Sequence, residues 1–300
     1  MPCYHPRAAW LVPGGVKFYE VPDAPPIKLP CQQCVGCRLE RSRQWALRLV
    51  HEKRFHEHSA FITLTYSDQH LPPGGSLNVK HFQDFMKRLR KDVSPCRIRF
   101  FHAGEYGEKF QRPHYHAIIF GTSLGDAEPR SEETNDRGDT TWSSARLTRL
   151  WPFGRNRVGE VTFESCAYVA RYVTKKITGR DASKHYERID PRFGEILTIK
   201  PEYATMSRRP GIGYAHLEKY RSEIYPRDEC IARGNPCKPP RFYDRALEKL
   251  DPEMYVQIKE QRECALMLSP KHDKTERRLA DREVVKLAQI RALKRNYEIG

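Results

Sequence analysis

The segment Pro113-His-Tyr-His-Ala-Ile-Ile-Phe120 constrains this fold more than any other stretch of the chain. Two imidazoles at i and i+2 share a face only if the backbone is extended, because on a helix they diverge by about 200°. The segment therefore reads as a strand. His114 and His116 take one face, and Tyr115, Ala117 and Ile119 pack inward from the other. His56-Glu57-His58 provides an internal control with the same spacing. It falls at the end of a predicted helix, so its rings cannot share an ion and it reads as solvated surface. On the strand both imidazoles can meet one cation, and a hairpin returning through Arg112-Pro113 would bring Glu105 beside His114. One carboxylate and two imidazoles suit Mg²⁺ or Mn²⁺ and leave positions open for a phosphate oxygen. Glu108, nearer the turn, is the alternative acid. Two hydrogen-bonded histidines on a half-exposed sheet are the alternative without a metal.

The neighbouring segments supply the rest of a sheet. Phe61–Tyr66 and Arg97–Phe101 are β-branched and aromatic runs. Between them Asn78 caps a predicted helix to Asp92, with Val79, Phe82, Phe85, Met86 and Leu89 at helical spacing. A second helix is expected after Thr162-Phe-Glu-Ser165 and runs to about Ile177. Glu195–Ile199 is the expected last strand, and the polar stretch 122–141 reads as a solvent loop. Strand, helix, strand, strand, helix, strand is the order of a split βαβ sheet, so the expected class is α+β with a ferredoxin- or RRM-like antiparallel sheet. To this core are added an N-terminal Cys-rich, basic helical segment (1–58) and a basic, mainly helical C-terminal region (227–300). The core itself spans 59–226. A helix is expected from Arg38 to His58.

With 53 Lys and Arg against 38 Asp and Glu, the chain carries a net charge of +15. That surplus calls for an anionic partner. No apolar run approaches the roughly 18 residues of a spanning helix, and no apolar secretory region follows Met1, so nucleic acid is preferred over a membrane. Nine cysteines are an odd set, and Cys31, Cys34 and Cys37 crowd into seven residues. A structural Zn²⁺ with Cys3 as fourth thiolate is the leading reading. His5 as that fourth ligand, an iron–sulfur cluster and free thiols are the alternatives. Cys96, Cys166, Cys230, Cys237 and Cys264 show no ligand spacing. Arg38, Arg41, Arg43 and Arg48 surround Trp45, a candidate stacking platform for single-stranded nucleic acid. Lys271–Arg295 holds nine basic residues against four acids.

Tyr168 and Tyr172 are spaced to stack on one helix face, with Arg171, Lys175 and Lys176 close behind. A phenol with a pKa near 10 needs a cation or metal to act as a nucleophile near neutral pH. Half-buried tyrosines on an amphipathic helix are the structural alternative.

Thr63-Leu-Thr-Tyr66, Arg112–Gly121 and Tyr168–Lys176 together resemble the three ordered motifs of rolling-circle replication initiators, the HUH endonucleases of the two-tyrosine class. Pro30–Trp45 and Ser207–Gly213 extend the likeness to the replication proteins of gokushovirus-type microviruses. The resemblance implies metal binding by His114, His116 and Glu105, nucleophilic tyrosines at 168 and 172, and a catalytic lysine at 175. It further implies single-stranded and supercoiled origin DNA as substrate, a host helicase and polymerase as partners, and the host bacterial cytoplasm as location. Arg38, Arg41, Arg43, Arg171 and Lys176 are expected to contact DNA. The rival expectations are a non-catalytic RRM-like binding module and a metal-dependent nuclease that uses water.

Overall fold

A computed structural model of the chain describes residues 2–107, 110–124, 130–134, 138–172, 182–189, 194–268 and 275–292. The N-terminal residues form a small antiparallel sheet of β1 (Arg7–Val12), β2 (Gly15–Lys17) and β3 (Pro26–Leu29), ordered β2-β1-β3. Helix α1 (Val35–Lys53) follows, then β4 (Ser59–Thr65), α2 (Val79–Asp92), β5 (Arg99–Tyr106) and β6 (Pro113–Phe120). Strand β6 lies antiparallel between β4 and β5. This is the split βαβ arrangement that the order of segments predicts. Asn78 does cap α2, its side-chain oxygen accepting from the Lys80 amide at 3.1 Å, and Phe82, Phe85, Met86 and Leu89 are the buried stripe.

The outer strands differ from expectation. Within 122–141, expected as loop, lie β7 (Arg130–Thr134) and the start of β8 (Thr140–Ser143). Helix α3 (Ala145–Leu150) and β9 (Asn156–Gly159) follow, and β9 pairs with the free edge of β4. After α4 (Phe163–Tyr172) and α5 (Ala182–His185), the chain forms a separate two-stranded ribbon of β10 (Glu187–Ile189) and β11 (Ile196–Thr198). The expected last strand is thus in the ribbon, where Ile189 and Ile196 are 72% and 68% exposed. The sheet is closed instead by β12 (Tyr203–Met206) against β5, giving the order β12-β5-β6-β4-β9-β8-β7. Ser207 secures this edge, its amide donating to the Phe100 carbonyl and its hydroxyl accepting from the Phe100 amide. Then come α6 (Tyr214–Ile224), a hairpin of β13 (Cys230–Ala232) and β14 (Asn235–Cys237), α7 (Arg241–Leu250), α8 (Pro252–Leu268) and α9 (Glu276–Ala292). The α+β class, the antiparallel sheet and the helical additions agree with the sequence reading.

Strand alternation divides the sheet into two packed faces. Ile62, Leu64, Tyr115, Ala117 and Ile119 meet α2 and α3 in one cluster. Phe61, Phe101, Ala103, Ile118 and Phe120 meet Ala46 and Leu49 of α1 and Cys166, Tyr168 and Val169 of α4 in the other. Helix α1 then serves as a shared wall, because Leu47 on its far side packs with α6, α7 and α8. Its last helical residue is Lys53, earlier than expected, so His56 and His58 fall beyond it. His58 is exposed as expected, whereas His56 is half-buried, stacked on Phe120 and bonded to Glu52. Among the described residues no helix is long and apolar enough to cross a membrane.

Candidate active site

Three adjacent strands place the candidate ligands. In the β5–β6 register Glu105 stands opposite His114, and Ala103 opposite His116; in the β4–β6 register Thr63 stands opposite His116. Glu105, His114, His116 and Thr63 therefore share the face that packs on α1 and α4. Glu105 enters this set because β5 runs on through Tyr106, beyond the expected strand. His116 Nε2 lies 2.8 Å from Glu105 Oε1, and its Nδ1 lies 2.9 Å from the Thr63 hydroxyl. Both nitrogens of the ring are thus held, and the ring is fixed in orientation. Glu105 and His116 are each only 2% exposed.

His114 stands slightly apart. Its ring is nearly parallel to that of His116, with centroids 6.4 Å apart, and it is half-buried. Burial and the neighbouring His116 hold its pKa down at about 4, so at neutral pH it offers a lone pair. A Cβ on residue 107 would come within 3.0 Å of the His114 ring, so Gly107 is the residue that leaves the imidazole room. Two imidazoles and a carboxylate are a suitable donor set for Mg²⁺ or Mn²⁺, and Glu105 and His116 already bond each other directly. Glu108 lies outside the described residues.

Tyr168 reaches the same face from α4. A reciprocal cap starts that helix: the Ser165 amide donates to the Thr162 hydroxyl, and the Thr162 amide donates to the Ser165 hydroxyl. The Tyr168 ring meets His116 edge-on with centroids 5.1 Å apart, and meets Phe61 in the same manner. Phe61 is itself stacked parallel to His116. The Arg171 guanidinium is 6.0 Å from the Tyr168 ring. Tyr172 ends the described part of α4; its side chain, Lys175 and Lys176 lie outside the described residues. Thr63 enters the sequence reading only as the start of a motif and Phe61 only as part of a strand; strand parity with His116 is the signal that places both at the site.

Residues 59–177 match the family described as Replication-associated protein ORF2/G2P. The chain is 34% identical to the Replication-associated protein ORF2 of Spiroplasma virus 4, over 82% of its own length and 75% of that protein. The chain belongs to this family of replication-associated proteins. It is also 30% identical to the Replication-associated protein VP4 of Bdellovibrio phage phiMH2K, over 76% of its length and 70% of the phage protein. With the Replication-associated protein ORF4 of Chlamydia phage 1 the identity is 32%, over 74% and 54%. No solved structure matches the chain. The family resemblance carried by the three motifs is thereby borne out.

This replication-associated protein has a second donor cluster. The Sγ atoms of Cys3, Cys31, Cys34 and Cys37 all lie within 4.8 Å of one another. A tetrahedral zinc with bonds of about 2.3 Å requires sulfurs about 3.8 Å apart, and Cys34 and Cys3 are already at 3.9 Å. The quartet could hold a structural metal. Backbone amides support it: Tyr4 donates to Cys34, Cys31 to Cys3 and Cys34 to Cys31. Burial alone would raise the Cys31 thiol, but the Cys34 and Gln33 amides and the Cys3 and Cys34 thiols bring it down to about 7. Burial and the Cys3 and Cys34 thiols push Cys37 up. Gly36 permits the knuckle, since a Cβ there would lie 2.1 Å from the Pro2 carbonyl. His5, the other candidate fourth ligand, pairs with Glu283 at 2.6 Å instead.

The basic residues of the family member divide sharply. Arg38 is exposed, Arg41 contacts Gln32, and Arg43 is held by both carboxylate oxygens of Glu40.

Proposed function

We propose that the protein initiates rolling-circle replication of a circular phage genome by nicking origin DNA through a tyrosine. The observation that carries this reading is the packing of Tyr168 edge-on against His116, whose Nε2 is 2.8 Å from Glu105. A phenol and a carboxylate–imidazole pair at one end of one sheet face are the parts that phosphoryl transfer to tyrosine needs. The names of the relatives support a replication role, and the matched span, 59–177, supports assigning the chemistry to the middle region, 59–226.

In this reading His114, His116 and Glu105 hold Mg²⁺ or Mn²⁺, which when bound polarises the scissile phosphate. Tyr168 Oη attacks phosphorus and the P–O3′ bond breaks, leaving a 5′-phosphotyrosine and a free 3′-OH that carries the proton. Arg171 and Lys175 neutralise charge around the phosphate, and Lys176 contacts DNA. Tyr172, one turn along α4, cuts the regenerated origin after a round of synthesis, and the released 3′-OH attacks the first linkage to close the displaced circle. The 3′ end is extended by host polymerase with a host helicase, in the bacterial cytoplasm.

The test uses the full chain with Mn²⁺ and short single-stranded DNA from its own genome, followed by denaturation. An adduct mapped to Tyr168 or Tyr172, abolished by EDTA, is expected. Cleavage without an adduct would replace the tyrosine with water. EDTA-insensitive binding without cleavage would reduce the site to a binding surface.

A further inference from the structure

Arg48 is an unusual cation among the described residues. It lies on α1 and is only 9% exposed. Its guanidinium is sandwiched, with Trp45 at 4.0 Å and Phe242 of α7 at 3.9 Å. Its Nε donates to the Ile212 carbonyl at 2.9 Å. Among the described residues no carboxylate lies within 4.0 Å of it, and neither Nη atom meets a protein acceptor. Burial lowers its pKa to about 10, so it remains charged at neutral pH. The Glu52 carboxylate one turn along α1 interacts favourably with this charge, and the Nη groups carry hydrogen-bonding capacity that an anion could complete.

Arg48 borders a cleft of about 350 Å³. One wall is α1, with Arg41, Gln44 and Trp45; another is the cysteine knuckle, with Cys3 and Cys37; the third is α7, with Arg241, Phe242 and Arg245. Arg241 and Arg245 are exposed and have no ion-pair partner among the described residues. The one acid on the lining, Glu40, is neutralised by Arg43. Both faces of the Arg48 guanidinium are covered by rings, so only its edge is free. That edge matches the bidentate geometry of a phosphate. Flanking cations one turn apart on α7 extend the charge beyond a single anion, as a polyphosphate backbone requires.

We propose that this cleft binds the sugar-phosphate backbone of single-stranded DNA, with Arg48 gripping one phosphate edge-on and Arg241 and Arg245 taking its neighbours. The site is separate from the tyrosine site, and rests on the reading that single-stranded DNA is the substrate. Trp45 connects the two, because it packs on Phe101 of β5, at 4.8 Å between centroids. Glu105 is four residues further along the same strand and face, about 13 Å away at strand spacing.

The test is fluorescence anisotropy of a labelled single-stranded oligonucleotide from the protein's own genome across a salt series, with adduct formation at saturating DNA measured in the same samples. The paired variant Arg241→Ala/Arg245→Ala alters exposed residues only. It is expected to bind about tenfold more weakly at moderate salt and to lower the slope of log affinity against log salt by about 1.4, at about 0.7 per phosphate. Its adduct yield at saturation should match the parent. Arg48→Met, which keeps the stacked volume, should remove a further 0.7 or so of slope with an unchanged circular dichroism spectrum. Unchanged slopes in a parent that binds and forms the adduct would overturn the cleft and leave the function intact. A parent that does not bind the oligonucleotide at all overturns both. Protection from thermal unfolding by inorganic phosphate, without any effect of the variants on DNA binding, would make this a small-anion site and also overturn the proposal.

Discussion

The two donor clusters, each with side chains that could hold a cation, are built in opposite ways. The cysteine quartet is assembled from two chain segments 28 residues apart, yet its four sulfurs all lie within 4.8 Å of one another. Backbone amides aim at the sulfurs, and burial raises the Cys3 and Cys37 thiols. The histidine–carboxylate trio sits on two adjacent strands, the stiffest frame available, yet only two of its three donors touch. A carboxylate and an imidazole satisfy each other by direct contact, which leaves the half-buried His114 as the adjustable member. A closed site suits a permanent structural ion, whereas an incomplete one can admit a metal and a substrate phosphate together.

The sharpest test of this contrast is a crossed pair of substitutions. His114→Ala should reduce Mn²⁺-dependent nicking about 10³-fold while metal analysis finds the zinc content unchanged. Cys34→Ser should do the reverse. Zinc is lost and the thermal midpoint falls by about 5–10 °C, with nicking at low temperature kept within a few-fold of the parent. Loss of nicking and zinc together in either variant would break the comparison. Thr63→Val addresses the support of the open site alone. It removes the hydroxyl bonded to His116 Nδ1 and should weaken Mn²⁺ about tenfold or more in a metal titration of nicking. The smallest effect is expected from Gly107→Ala, which crowds the His114 ring. A two- to fivefold loss in the same titration is expected, with no change in zinc. A larger loss than that from Thr63→Val would mean that His114, not His116, governs metal affinity.

Much of the central sheet could be read from the chain because its signals were local. Asn78 capped α2, and the alternation of His114 to Phe120 fixed β6, whose odd positions Tyr115, Ala117 and Ile119 are fully buried. The even positions were read as half-exposed, but α1 and α4 cover them, and neither helix announces which sheet face it will occupy. The β7–β8 hairpin was lost because Thr, Glu and Asp on a sheet edge give no apolar period. Ile196-Leu-Thr198 misled for the converse reason, since a good β-former was spent on an exposed ribbon while the plainer Tyr203–Met206 closed the sheet. In the candidate site, motif spacing pointed to Glu105, His114, His116 and Tyr168, whereas Thr63 and Phe61 depended on cross-strand register. Arg48 read as one of several surface cations; its burial comes from Phe242, nearly two hundred residues away.

The knuckle also has a cover. Leu279 of α9 is buried against Tyr4, Cys34 and Cys37, and Glu283 on the same helix bonds His5. The positions joined are 278 residues apart in sequence. On a ribosome, residues 3 to 37 are exposed long before residue 279 has been added. The thiols therefore wait, with their apolar roof missing, until α9 has been made. Contacts of such long separation carry the larger closure cost, so the helix acts as a late seal, added after the knuckle it covers.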